Sequence, residues 1–111
     1  MIDTFRVGED VVVLLDARKG SVAGVTSIAV EIAEAYYDGG PVKGTPVAID
    51  DVQARAAVGR TPAGWTVTIA GAVTATMAPG IYAIDAKVTV GSHPDIAPDT
   101  AYIQLKTSLF G

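Results

Sequence analysis

The chain has 111 residues, no cysteine, a single histidine and a formal net charge of −4. That length suits one domain (1–111), and the missing cysteines exclude disulfides, thiolate metal sites and cysteine nucleophiles. The acidic balance argues against nucleic acid as a partner, because phosphate backbones favour a basic face, and no stretch approaches the roughly 20 apolar residues of a membrane helix.

Met1–Arg6 lacks the basic then apolar pattern of a secretory signal, so the expectation is no signal peptide and retention in the cell that makes the chain. Asp10–Asp16 holds the continuous apolar run Val11-Val12-Val13-Leu14-Leu15, whose length predicts a buried strand. In Val25–Ala35, Ile28, Val30 and Ile32 alternate with Ser27, Ala29 and Glu31, again predicting a strand. Ile28, Ile32 and Ala35 are also helix-spaced, and Asp38-Gly39-Gly40 is a sequence at which a helix can end. Strand is preferred, because β-branched residues dominate the first half and their crowded Cβ suits a pleated strand.

Tyr36–Thr45, with its glycines and Pro41, reads as a loop or wide hairpin. Pro46–Val58 has two readings: a short helix over Val52–Val58 capped by Asp50 or Asp51, or an irregular edge strand. Three later segments alternate cleanly. Gly64–Ala70 places Trp65, Val67 and Ile69 on one face, and Ile81–Val90 does the same with Tyr82, Ile84, Ala86, Val88 and Val90. Ala101–Thr107 turns Ile103 and Leu105 inward, with Tyr102, Gln104 and Lys106 outward. Short strands separated by 12 Gly and 6 Pro predict an all-β antiparallel sandwich of about seven strands, more than a barrel.

Met77-Ala78-Pro79-Gly80-Ile81-Tyr82 is the most specific local feature. Pro79 fixes φ and Gly80 permits angles that a Cβ forbids, so the chain turns sharply into a strand. Tyr82 then stands where immunoglobulin-type sandwiches carry a tyrosine corner, its hydroxyl reaching back before the turn; the plain alternative is a core aromatic at a strand start. Pro79, Gly80 and Tyr82 are thus a predicted structural corner, and Thr74 is placed to cap a single helical turn over Ala75–Ala78.

Phe5-Arg6-Val7-Gly8-Glu9-Asp10-Val11, Gly64-Trp65-Thr66-Val67-Thr68-Ile69, Thr74 and Pro79-Gly80-Ile81-Tyr82-Ala83-Ile84-Asp85 resemble, in layout, the immunoglobulin-like structural modules of tailed-phage and prophage virion proteins, such as the amino-terminal domain of baseplate upper proteins. The middle segment, Tyr36–Arg60, departs from that pattern. The resemblance implies an immunoglobulin-like sandwich in a virion component (tail, baseplate or head-tail). Its partners would be copies of itself or other virion proteins, and its location the virion, or the host cytoplasm during assembly.

Little in the sequence suggests catalysis. His93, in Gly91-Ser92-His93-Pro94-Asp95, has no nucleophile motif beside it, and one histidine cannot furnish a zinc set. Asp50-Asp51 and Asp95 with Asp99 are clustered carboxylates without EF-hand spacing, and Gly59–Gly64 lacks the phosphate-loop pattern. The expectation is a non-enzymatic protein with no catalytic residue, cofactor or metal. Tyr36 and Tyr37, one of them expected to be exposed, are the candidate partner contact, together with Leu109 and Phe110 near the carboxyl end. The alternative is a carbohydrate- or surface-binding module using Trp65, Tyr36, Tyr37 and Tyr102 as an aromatic platform, although alternation assigns Trp65 to the core.

Overall fold

A computed structural model of the chain describes residues 2–17, 25–56, 58–60, 63–90, 93–94 and 99–107. In chain order the elements are β1 (Asp3–Arg6), β2 (Val11–Asp16), β3 (Val25–Ala35), β4 (Val47–Ile49), β5 (Val52–Arg55), β6 (Gly64–Ile69), α1 (Gly71–Thr74), β7 (Gly80–Val90), β8 (His93–Pro94) and β9 (Ala101–Lys106). Two sheets form from them. The larger runs β1-β9-β7-β3-β4, with the two-residue β8 attached to β7, and the smaller runs β2-β6-β5. The pairings β9-β7-β3 and β2-β6-β5 are those of the G-F-C and B-E-D strands of an immunoglobulin sandwich.

All pairs are antiparallel except β1 with β9, which run parallel in the register Asp3↔Ile103 to Arg6↔Lys106. The expected antiparallel sandwich is therefore present, with one parallel pair at the β1 edge. After β1 on the larger sheet the chain turns at Val7–Asp10 and crosses to the smaller one.

The core fills from both inner faces. Val11↔Ile69, Val13↔Val67 and Leu15↔Trp65 are cross-strand pairs on the smaller sheet, and Val30↔Ala86, Ile32↔Ile84 and Tyr82↔Ile103 oppose them on the larger. All of these residues are buried, and burial of each large apolar side chain stabilises the fold by about 1.5–3 kcal/mol. Ile28, expected in the core, packs against it only partly buried.

Val25–Ala35 is a strand along its whole length, paired to β7 over Ile81–Val90. Of the two readings of Pro46–Val58, strand holds: β4 and β5 lie in different sheets, joined by Asp50-Asp51. Two expectations are corrected. Thr74 does not cap a turn over Ala75–Ala78; it is the last residue of α1, whose N-cap position is Ala70 with no side-chain cap. The Val11–Leu15 run is only half buried, because β2 is an end strand with one face on the core and Val12 and Leu14 outward. Among the described residues, no helix is long and apolar enough to cross a membrane.

Candidate functional site

At the β6–β7 crossing, the Tyr82 hydroxyl donates to the Ala78 carbonyl at 2.7 Å, and Gly80 takes φ +156° at the start of β7. Burial first, and then the neighbouring Glu34 carboxylate, hold the Tyr82 phenol above its ordinary pKa. A second tie closes the same end of the molecule. The buried Thr74 hydroxyl donates to the Glu9 carbonyl at 2.7 Å and accepts the Gly8 N–H at 3.1 Å, joining α1 to the β1–β2 turn. The Asp10 carboxylate accepts the Gly71 N–H beside it.

Tyr36 and Tyr37 are both exposed, where alternation predicted one. The strand ends at Ala35, so the two rings fall on a bend and the up-down rule no longer applies to them. Their loop is well tied. Lys43 and Gly44 N–H groups donate to the Glu34 carbonyl at 2.8 and 3.2 Å, and the Tyr102 hydroxyl donates to Gly40 O at 2.9 Å. The Lys43 ammonium sits 5.5 Å from the Tyr36 ring centre, a cation–π distance. Leu109 and Phe110 lie outside the described residues. Trp65 is buried and Tyr102 is half-buried and tethered, so these two of the four aromatics do not present a free sugar platform.

Two apolar surfaces were not legible as such in the sequence. The first is the outer face of β2, where Val12 and Leu14 are 48% and 55% exposed at the rim of the smaller sheet. Natural edge strands are usually guarded by lysine, proline or a bulge; β2 has none of these in Val11–Asp16. Beyond Leu14 the face turns polar. Arg55 reaches from β5 across Gly64 to pair with Asp16, and its guanidinium also donates to Leu15 O at 3.1 Å and Trp65 O at 2.8 Å.

The second is a cleft of about 540 Å³ where the two sheets part beside α1. Ile32, Val47, Ile49, Ile69, Val73 and Met77 give it apolar walls. Glu34, Asp50 and Asp51 also line it, and no lysine or arginine does. Val47 and Val73 remain 61% and 51% exposed at this cleft, because β4 is only three residues long and leaves the gap between the sheets uncovered.

His93 pairs through its backbone with Val90, β8 running antiparallel to β7. Among the described residues, no group of three or more histidines and carboxylates converges in a way that could hold a metal ion. Asp95 lies outside the described residues. Among the described residues, what the surface offers chemically is therefore apolar contact framed by carboxylates, and a β2 edge that no other strand pairs. Compared with family models, curated proteins and solved structures, the chain matches none.

Proposed function

We propose that the chain is a non-enzymatic structural module of a phage or prophage virion that works through protein–protein contacts. The observation that carries this reading is the β2 edge, which no other described strand pairs, with Val12 and Leu14 turned outward beside it. Unpaired N–H and C=O groups on such an edge can extend the sheet into a neighbouring subunit, and the flanking apolar side chains add contact area. The resemblance of the sequence to tailed-phage modules suggests the setting. The carbohydrate alternative is weaker, because Trp65 is inside and Lys43 sits over the Tyr36 ring.

The test is to induce lysis of cells carrying the gene, purify particles by density and identify their proteins by mass spectrometry. The chain is expected in the particle fraction, with a V12K/L14K double variant depleted from it while retaining the β-rich circular dichroism of the parent. Absence of the parent chain from purified particles refutes the virion reading. Undiminished incorporation of the double variant removes β2 from it.

A further inference from the structure

The acidic cleft has a complement on the same chain. β5 leaves Asp51 at one end and runs to a turn at the other, where Val58, Gly59 and Arg60 are all exposed. Gly59 adopts φ +58°, a left-handed conformation that glycine takes without strain. Val58, at 72%, is the most exposed large apolar side chain among the described residues. A valine with an arginine two residues on is a small apolar plug bearing a cation. The cleft is an apolar socket whose lining bears three carboxylates and no cation. Lys43 stands 3.9 Å from Glu34 outside that lining, so Asp50 and Asp51 carry most of the socket's charge.

We propose that Val58 and Arg60 of one copy seat in the Val47–Val73 cleft of a second copy, so that the chain assembles head to tail. This rests on the assembly reading above and names the partner as the chain itself. Plug and socket lie at opposite ends of β5, so one molecule does not fill its own cleft with its own turn. The contact uses two different patches and is heterologous. Such a contact repeats, and gives a ring where the rotation closes or a filament where it does not. Val58 covers Val47 and Val73, removing apolar surface from water, while Arg60 faces Asp50 and Asp51. The charge pairing sets orientation and makes association weaken as salt rises.

The experiment measures molar mass by sedimentation equilibrium for the full chain, for R60E, for D50K/D51K and for their equimolar mixture. The parent is expected to form species larger than a dimer, with lower mass in 0.5 M salt (a screening length of roughly 4 Å). Each variant alone is expected to associate roughly tenfold or more weakly, since each sets like charges against each other at the joint. The mixture is expected to recover association. The acidic plug of R60E then meets the basic socket of D50K/D51K, and the unaltered plug and socket of the two variants also remain complementary. Circular dichroism checks that each variant is folded, and R60E changes only an exposed turn residue. A monomeric parent overturns the proposal, as does a multimer that neither variant weakens, or a mixture that stays dissociated. Failure here leaves the particle experiment to decide the virion reading; absence from particles with head-to-tail association intact refutes that reading alone.

Discussion

Replacing Thr74 with valine removes a hydroxyl that joins α1 to the β1–β2 turn while leaving the shape of the side chain almost unchanged. Thr74 is 0% exposed, and its Oγ1 donates to Glu9 O at 2.7 Å, with a longer approach to Gly71 O at 3.1 Å. It also accepts the Gly8 N–H at 3.1 Å. A hydroxyl has one proton, so Glu9 is the principal acceptor and two hydrogen bonds are lost in the variant. Each contributes about 1 kcal/mol net, and a partner left dry costs more. Gly8 and Glu9 are themselves exposed, so water reaches them and holds the total near about 2 kcal/mol. In a domain of this size that lowers Tm by about 8 °C.

Serine at the same position keeps the hydroxyl and removes one methyl, costing about 0.8 kcal/mol. Urea unfolding followed by the fluorescence of Trp65, the single tryptophan and a buried one, measures both variants. Valine is expected to be the more damaging. If valine is neutral and serine is the worse of the two, Thr74 acts by filling space and the hydrogen-bond reasoning fails.

Tyr82→Phe deletes the 2.7 Å bond to Ala78 and is expected to cost about 1 kcal/mol at neutral pH. Because the folded chain raises the Tyr82 pKa, its neutral phenol contributes stability that is complete below about pH 10 and is lost as pH climbs through the folded value. Urea midpoints measured from about pH 8 to about pH 11 should therefore fall less steeply in the phenylalanine variant; parallel profiles would count against the raised pKa. Gly64→Ala places a Cβ against Leu15 O and within 2.9 Å of both Asp16 Cα and the Arg55 guanidinium, all on strands flanking β6. Strand β2 must move and the Arg55 side chain must shift, so the variant is expected to lose about 3 kcal/mol although alanine is ordinarily the better strand residue. A loss under about 0.5 kcal/mol in the same urea assay would show that β2 gives way easily.

Much of the fold is legible because one face of each sheet packs on the core while most of the other meets water. That asymmetry writes itself as period-two alternation in Gly64–Ile69, Gly80–Val90 and Ala101–Lys106, and those strands were readable to within a residue or so. The β2 sequence reads as wholly buried for the converse reason. Its outward positions, Val12 and Leu14, are as apolar as its inward ones, so no pattern in Val11–Leu15 separates core from surface. Thr74 stands out in the sequence, but its local setting points to the wrong task. A threonine before Ala75–Ala78 looks like a cap from nearby sequence, whereas its bonding partners, Gly8 and Glu9, lie more than sixty residues away.

The candidate surfaces divide in the same way. Exposure of Tyr36 and Tyr37 was partly foreseen, since a strand running into Asp38-Gly39-Gly40 must end nearby and release its last side chains. The cleft was not foreseen. It exists because β4 and β5 belong to different sheets and β4 is short, and neither fact is encoded in the residues that line it. Local pattern specifies the β class, the inward side chains of β6 and β9 and the Pro79-Gly80-Tyr82 corner, because each depends on neighbours a few residues apart. Which strand stands at an edge, what Thr74 holds and where three carboxylates meet an apolar gap emerge only when the chain folds. Those features depend on contacts between segments distant in the chain, and local pattern carries no record of them.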